Sequence, residues 1–460
     1  MSANIFTVKR SEIEGRLDPE FYNPKYFEIF RIEKSNWTRL NSIVKTLKHP
    51  PEYKRVFAEN GYQLIRSQNV RPTGIDLSEN PVYLSKEIVE NNSGILPKKG
   101  DILVVRSGVN AGDIAVVEDE LKNTTIGADT LLLNVTSEIL PKFVQVYFYT
   151  DTGRNQLNRY ITGATNKHIN SFSLKRVYFP IIDLNTQKKC ISTFENALSQ
   201  KEQKQEQAKE LLASIDSYLL SELGITLPQK DNTLSKRIFK TKFSEVTGGR
   251  LDPLYQFNSS FLISTKYEQV KLAEICNSFI SGFGAGKENQ TSEINGIIQI
   301  RPTNIDSECE LKFDKNIYID KNFEGKKIKK TDVLFNNTNS QDLVGKTAVG
   351  ESAENMFFSN HITVISINER IIDSYFLKES LNMLQRHKIF YSICTNWNNQ
   401  SGIGIDLLKT VKIPLPPLPK QKEIAEHIRS IRAQAKQLQA EAEHILQDAK
   451  HQVEKMILGE

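Results

Sequence analysis

Two long stretches of the chain carry apolar residues at heptad spacing, a pattern typical of helices that pair along a seam of a and d positions. Neither stretch, 187–223 or 421–457, contains glycine or proline. Each follows a proline-bearing segment, "VYFPIIDLN" or "VKIPLPPLPK", where extended chain turns into helix. We predict that the two helices pair with each other in antiparallel orientation. The alternative is that each helix docks only on its own globular unit.

The predicted pairing positions are Ile191, Leu198, Leu212, Ile215, Leu219, Ile424, Ile428, Ile431, Leu438 and Ile445. Charges on the two helices nearly cancel, with five basic and six acidic side chains in 187–223 and six and seven in 421–460. This balance favours packing against protein over contact with phosphates.

Short apolar runs broken by glycine, asparagine and proline precede each predicted helix, and they predict strands and turns. The runs are "DILVVRSG" and "TLLLNV" in the first half, and "DVLFNN" and "HITVISI" in the second. The predicted fold class is α+β. It consists of two tandem globular units with mixed, twisted sheets, separated by two long antiparallel coiled-coil helices.

Several segments occur twice, in the same order, about 230 residues apart. "GRLDP" occurs twice, starting at residues 15 and 249. "RPTGID" at 71 matches "RPTNID" at 301, and "KKGDIL" at 98 matches "KKTDVL" at 329. "GDIAVV" at 112 matches "GKTAVG" at 345, and "LKRVYFP" at 174 matches "LKTVKIP" at 408. Matches in one order at a nearly constant offset predict an internal pseudo-twofold repeat.

The repeat divides the chain into six predicted segments. These are an N-terminal arm (1–38), a first globular domain (39–183), a central spacer helix (184–224), a linker with the second arm (225–264), a second globular domain (265–415) and a C-terminal spacer helix (416–460).

Composition narrows the class of protein only slightly. The 460 residues carry a net charge of +5 and a pI of about 8.7, which permits an acidic partner without requiring one. Four scattered cysteines argue against a disulfide framework or a zinc site. No apolar run is long enough for a membrane span, and the first residues, "MSANIFTVKR", lack a charged-then-apolar signal pattern. We expect a cytoplasmic protein with no membrane partner.

Basic residues gather in loops that also contain asparagine, glutamine and serine. Residues 152–182 hold five basic side chains and no acidic ones, and 44–72 hold six against two. Such loops suit duplex DNA, because cations hold phosphates while arginine and amide side chains bind base edges. The predicted DNA-binding residues are Lys54, Arg55, Arg66, Gln68, Asn69, Arg71, Arg106, Asn110, Arg154, Arg159, Thr165, Asn166, Lys167, His168, Lys287, Arg301, Asn336, Asn337, Asn339, Asn396, Asn398, Asn399 and Gln400.

Catalytic signatures are weak throughout. "SGFGAGKEN" at 281–289 fails the Walker loop pattern at Ser281 and Glu288, and no methyltransferase tetrapeptide occurs. His444 and His451, seven apart on a predicted helix, fit a polar surface better than a ligand pair. We expect no catalytic residue, no metal site and no cofactor.

The combination of motifs resembles the specificity subunit of type I restriction–modification enzymes. The resemblance rests on "IPLPPLPKQKEIAEHI" (413–428) with its echo "FPIIDLNTQKKCISTF" (179–194), on "TGATNKHIN" (162–170) and on "GDILVVRSG" (100–108). It implies a non-catalytic DNA-binding subunit with two target-recognition domains. The implied partners are double-stranded DNA, two methylation subunits and restriction subunits. The DNA sequence that the subunit recognises would be bipartite and asymmetric.

Two other functions stay open from the residues alone. One is a coiled-coil protein-interaction scaffold that does not bind DNA. The other is a fragmentary modification–restriction enzyme with catalysis of its own.

Overall fold

The chain forms two compact units in a computed structural model that describes residues 7–10, 13, 17–26, 36–53, 56–78, 80–163, 165–226, 240, 265–397 and 400–459. The first unit combines Met1–Gln207 with Gln437–Glu460, and the second is Ala208–Lys436. Each unit thus contains one strand-rich region and a segment of each long helix. Gly15 and Arg16 of the first "GRLDP" and the whole of the second copy lie outside the described residues.

The first half of the chain alternates short strands and short helices before one long helix. Its strands are β1 Trp37–Arg39, β2 Val44–Lys48, β3 Tyr62–Ile65, β4 Val70–Arg71, β5 Gly74–Ile75, β6 Tyr83–Leu84, β7 Ile102–Val105, β8 Ile114–Val116, β9 Thr124–Ile126, β10 Thr130–Val135 and β11 Tyr178–Pro180. Its helices are α1 Lys86–Asn91, α2 Pro141–Tyr149, α3 Asp151–Tyr160, α4 Ser171–Lys175 and α5 Leu184–Leu223.

The second half follows the same plan. Its strands are β12 Gln269–Lys271, β13 Cys276–Ser281, β14 Gln290–Thr291, β15 Gly296–Ile300, β16 Tyr318–Asp320, β17 Val333–Asn336, β18 Thr338–Asn339, β19 Thr347–Val349, β20 Phe357–Phe358, β21 Ile362–Ile367, β22 Thr395–Trp397, β23 Gln400–Gly402 and β24 Lys412–Pro414. Its helices are α6 Leu272–Ile275, α7 Ser374–Arg386, α8 Ile389–Ile393, α9 Ile405–Thr410 and α10 Leu418–Leu458.

A four-stranded sheet lies at the centre of each unit. Its order is β2-β10-β7-β8 in the first unit and β13-β21-β17-β19 in the second, and the strands pair antiparallel. Alternate residues of β7 belong to two different hydrophobic clusters. Ile102 and Val104 belong to one cluster, and Leu103 and Val105 belong to the other. Because both faces are buried, these strands are continuously apolar rather than alternating.

The internal repeat is confirmed at the level of topology, and one of its matches is corrected. Strand β3 pairs parallel with β9, as β15 does with β20. The segment that follows Ile65 therefore corresponds to the one that follows Ile300, an offset of 235. The "RPTGID"–"RPTNID" match at an offset of 230 is wrong, because Arg301 occupies the position of Arg66 and not that of Arg71.

The long helices pair antiparallel within each unit. In the first unit the Cys190 sulfur lies 3.9 Å from that of Met456, and Lys204 binds Glu441 at 2.6 Å. In the second, Lys420 binds Glu222 at 2.7 Å. In both cases residue numbers rise along one helix as they fall along the other.

The predicted pairing positions divide between the two hydrophobic cores. Ile215, Leu219, Ile424, Ile428 and Ile431 are buried in the second unit, and Leu212 packs against them. Ile191, Leu198 and Ile445 pack against the core of the first unit. Leu438 is half-buried.

One glutamine joins each long helix to its own strand-rich region. Gln187 and Gln421 are fully buried. The Gln187 side-chain oxygen accepts from the Leu140 amide at 2.9 Å, and its nitrogen donates to the carbonyls of Glu138 and Ile182, each at 2.9 Å. Gln421 makes the same three bonds to Asp373, Ile371 and Pro416. The two glutamines lie 234 positions apart, each followed by a lysine. Each satisfies backbone groups where α2 or α7 begins, so this repeated pair has a structural cause.

We expect Gln187→Ala to lower the free energy of unfolding by roughly 2–3 kcal/mol, because it leaves a backbone amide and two carbonyls without partners. Urea unfolding followed by circular dichroism would measure the loss. The exposed neighbour provides the control, and Lys188→Ala should change stability by less than about 0.5 kcal/mol. Equal stability of the two variants would contradict the assigned role.

Candidate nucleic-acid interface

In the first unit, two polar loops lie side by side at the end of the central strand β7. The Ile169 amide donates to the Arg106 carbonyl at 2.9 Å, and the Gly108 amide donates to the Lys167 carbonyl at 3.0 Å. The Ser107 hydroxyl lies 2.9 Å from Nδ1 of His168. The loop 162–168 is closed by reciprocal backbone bonds between Thr162 and His168, at 2.9 and 2.8 Å.

The second unit builds the same junction from different residues. The Ile403 amide donates to the Asn337 carbonyl at 2.9 Å, which matches the bond from Ile169 to Arg106. Beyond it, β18 pairs with β23, and β22 and β23 form a hairpin where the first unit has its closed loop. The hairpin of the second unit therefore stands in the place of the closed loop of the first.

A third loop, directly after β3 or β15, is shaped by one buried asparagine in each unit. The Asn69 side chain accepts from the Arg66 amide at 3.0 Å and donates to the Asp76 carbonyl at 2.8 Å. Asn304 accepts from the Arg301 amide at 3.0 Å and donates to the Lys312 carbonyl at 3.0 Å. The two asparagines therefore hold Arg66 and Arg301 in equivalent turns.

The three loops of each unit converge. In the first unit, Asn110 of the loop after β7 donates to the Ser67 carbonyl at 3.4 Å. In the second, they border a cleft of about 750 Å³. Its lining residues include Pro302, Thr303, Lys312, Thr338, Asn339, Lys346, His361 and Gln400.

These surfaces are rich in cations and hydrogen-bond donors. Lys167 is exposed, and the ε-nitrogens of Arg66 and Arg106 are enclosed without an acceptor among the described residues. Burial and then the charge of Arg106 lower the pKa of His168, so its imidazole is neutral at pH 7. The first surface can thus offer positive charge from lysine and arginine, together with neutral side chains that bind base edges.

Residues 264–444 match a family model described as the type I restriction modification DNA specificity domain. Over 96 residues the chain is 36% identical to the putative type I restriction enzyme MjaX specificity subunit of Methanocaldococcus jannaschii, covering 21% of this chain and 23% of that relative's length. A chain solved in a study of complex assembly and conformational transition of the type I R-M system has a TM-score of 0.58 and 16% identity. The likeness covers 92% of this chain and 97% of that one, and shows a shared fold.

Residues 264–444 therefore form a domain of the type I restriction–modification DNA specificity family. The chain spans about a quarter of the length of the curated relative it matches. A crystal structure of the HsdS subunit from Thermoanaerobacter tengcongensis is also similar, with a TM-score of 0.42, 16% identity, and coverage of 92% of this chain and 96% of that one.

The predicted DNA-binding residues fall into four groups, which are exposed, half-buried, buried and outside the described residues. Thr165, Asn166, Lys167, Lys287, Asn396 and Gln400 are exposed. Arg66, Gln68, Arg71, Arg106, Asn110, Arg154, His168, Arg301 and Asn339 are half-buried. Lys54, Arg55, Asn398 and Asn399 lie outside the described residues.

Four predicted contacts are corrected because their side chains are buried. Asn69, Arg159, Asn336 and Asn337 are at most 6% exposed. Arg159 donates to the Phe21 carbonyl at 3.1 Å and stacks on the Phe21 ring. Asn337 donates to the Thr363 hydroxyl at 2.8 Å. A side chain enclosed by the protein cannot reach a base, so these residues shape the loops from within.

Arg154 also makes its contacts within the protein. Its guanidinium donates to Asp113 at 2.9 Å and to the Ala111 carbonyl at 3.3 Å. Burial raises the pKa of Asp113 despite this ion pair. Arg154 therefore holds the loop after β7 in place, and its charge is partly neutralised.

Several residues of the second cleft were not among the predicted DNA-binding residues. Lys312, Lys346 and His361 line this cleft, and the Lys346 ammonium donates to the Asp306 carbonyl at 3.1 Å. No local sequence pattern distinguishes Lys346 from the other lysines near it. Among the described residues, no helix is long and apolar enough to cross a membrane, and no three histidine, cysteine or acidic side chains form a metal-binding group.

We expect Gly163→Ala to weaken binding of the specific duplex about tenfold, because the substitution distorts the closed loop. Gly163 has a φ of +95°, and an added Cβ would lie 2.1 Å from the Asn166 carbonyl oxygen. Fluorescence anisotropy with labelled DNA would measure the change.

Gly404→Ala is the matched control, because an added Cβ there meets nothing within 4 Å. Unchanged binding by the Gly163 variant would show that loop 162–168 does not contribute to recognition.

Proposed function

We propose that this protein is the specificity subunit of a type I restriction–modification enzyme. In this proposal it recognises a bipartite, asymmetric DNA sequence, one half with each unit, and positions methylation and restriction subunits on it. The observation that carries the proposal is the repeated convergence of three polar loops at the end of a buried central sheet. The loops occupy the same place in both units but differ in their side chains. Lys167 and His168 in the first unit have Ser401 and Gly402 as their counterparts in the second.

The proposed contacts follow from the chemistry of the duplex. Lys167, Lys287, Lys312 and Lys346 would hold phosphates, which give affinity without sequence preference. Arg66, Arg106 and Arg301 would donate to guanine, while Asn166, Asn396 and Gln400 would bind adenine or cytosine edges in the major groove. Because these side chains differ between the units, the two half-sites would differ too.

We infer that the long helices set the spacing between the half-sites. Helices α5 and α10 contain 40 and 41 residues, and each begins in one unit and ends in the other. At ~1.5 Å per residue, 40 residues extend about 60 Å. In this proposal 39–183 and 265–415 are the target-recognition domains, 184–224 and 416–460 the spacers, and 1–38 and 225–264 the arms.

The net charge of +5 is modest for a DNA-binding protein of 460 residues. We therefore expect methylation subunits to supply much of the phosphate contact, and binding by the isolated subunit to be weak. The match of residues 264–444 to a type I DNA specificity domain supports two methylation subunits and the restriction subunits as the partners.

Replacing 39–183 with the corresponding segment of another specificity subunit should change one half of the site only, since each half would be bound by one unit. Mapping methylated adenines in DNA exposed to the reconstituted complex would identify both halves. A change in both halves would contradict the modular proposal. Absent or salt-insensitive DNA binding would favour the scaffold function instead.

Deleting one heptad from each helix, 201–207 and 438–444, should shorten the gap between the half-sites by about three base pairs. The two segments face each other, since Lys204 binds Glu441 and Lys201 binds Glu443. Seven residues extend about 10.5 Å, against ~3.4 Å per base pair.

The control keeps the length of both segments and changes their exposed residues to alanine. Methylation products of the deletion variant with the native gap would contradict the spacer role of the helices.

A further inference from the structure

One large aromatic side chain stands on the polar hairpin of the second unit. Trp397 ends β22 and is 48% exposed. It lies opposite Gln400, which lines the cleft of the second unit. The hairpin is tied to the end of the central sheet through β18, where Thr338 pairs with Gly402.

The indole is held in place by the hairpin itself. A Cβ added at Gly402 would lie 2.6 Å from the indole Cη2 atom, so the ring packs directly over this glycine. The Ser401 hydroxyl donates to the Asn396 side-chain oxygen at 2.5 Å and braces the two strands. The ring is therefore positioned before any ligand arrives, which reduces the entropy lost on binding.

The first unit has an exposed apolar side chain in the adjoining loop. Val109, between Gly108 and Asn110, is 84% exposed. Its loop is bonded to 162–168 through Gly108 and contacts Ser67 through Asn110. Each unit therefore combines the donors and cations of its converging loops with a bulky apolar side chain that is exposed to solvent, Val109 in the first unit and Trp397 in the second.

An intact DNA duplex offers a single kind of apolar group in its major groove, the 5-methyl group of thymine. Amides, hydroxyls and cations of the same loops can bind the polar edges of bases and the phosphates, but they gain little from a methyl group. An indole fixed on the hairpin gains by burying that methyl group against its ring.

We propose that Trp397 is a specificity-determining residue that selects thymine in the half-site bound by the second unit, by contact with the thymine 5-methyl group. Val109 makes the corresponding contact in the first half-site. This inference rests on the proposed bipartite recognition.

The test uses the full chain assembled with its methylation subunits, and duplexes of the mapped site in which one thymine at a time is replaced by deoxyuridine. This replacement removes only the methyl group. At one position of the second half-site we expect affinity to fall about fourfold, the effect of burying one such group. Trp397→Ala should bind the thymine and deoxyuridine duplexes equally, whereas Trp397→Phe should retain part of the difference.

Ile294→Ala is the matched control, because Ile294 is a 91% exposed apolar side chain of the same unit that lies outside the sheet of β18, β23 and β22. This variant should keep the full difference between thymine and deoxyuridine. Val109→Ala should remove the methyl dependence in the first half-site and leave that of the second unchanged.

The inference is overturned if no thymine of the second half-site shows the effect, or if Trp397→Ala shows it undiminished. In both of those cases, specific binding of the unmodified duplex would leave the proposed function intact. Loss of specific binding to every duplex, the unmodified one included, would overturn the proposed function together with this inference.

Discussion

Burial of the central sheet on both faces is the constraint on which the rest of each unit depends. Residues of β7 and β10 alternate between two hydrophobic clusters in the first unit, and Leu334 lies between Val333 and Phe335 in the same way in the second. A strand enclosed on both faces has little room for charged side chains, so polar residues with access to solvent concentrate where strands end. Arg106 directly follows β7, and Asn337 directly follows β17, its equivalent in the second unit. The carbonyl of each accepts the backbone hydrogen bond that anchors the neighbouring polar loop or hairpin.

The buried amide side chains explain how two copies can keep one architecture while their surfaces diverge. Asn69 and Asn304 make equivalent bonds, as do Gln187 and Gln421. A buried polar group is costly unless each partner is present, so these positions and their backbone partners remain alike. Exposed side chains bear no such cost. The same backbone frame therefore carries Lys167 in one unit and an Asn- and Gln-bearing hairpin in the other, which is what a protein needs to recognise two different sequences.

Residue type alone was a poor guide to the DNA-facing side chains. Arg159 and Lys167 belong to one basic stretch without acidic residues, yet Arg159 is buried against Phe21 while Lys167 is exposed on the loop. Local identity was also misleading at "RPTGID", where the matching letters of "RPTNID" occupy a different structural position. In the second unit, Lys346 and His361 reach the cleft from strands and turns that carry no distinctive motif.

Patterns that repeat along the chain were sufficient for the internal duplication, the α+β class and the antiparallel long helices. Each of these follows from periodic burial, which leaves its mark on neighbouring positions. The grouping of side chains on the candidate surfaces was decided by the tertiary structure. Ser67 meets Asn110, and Arg106 meets Ile169, across 43 and 63 positions of the chain. Contacts between such distant residues depend on how the sheet, the loops and the helices fill space together, and no local sequence pattern records that packing.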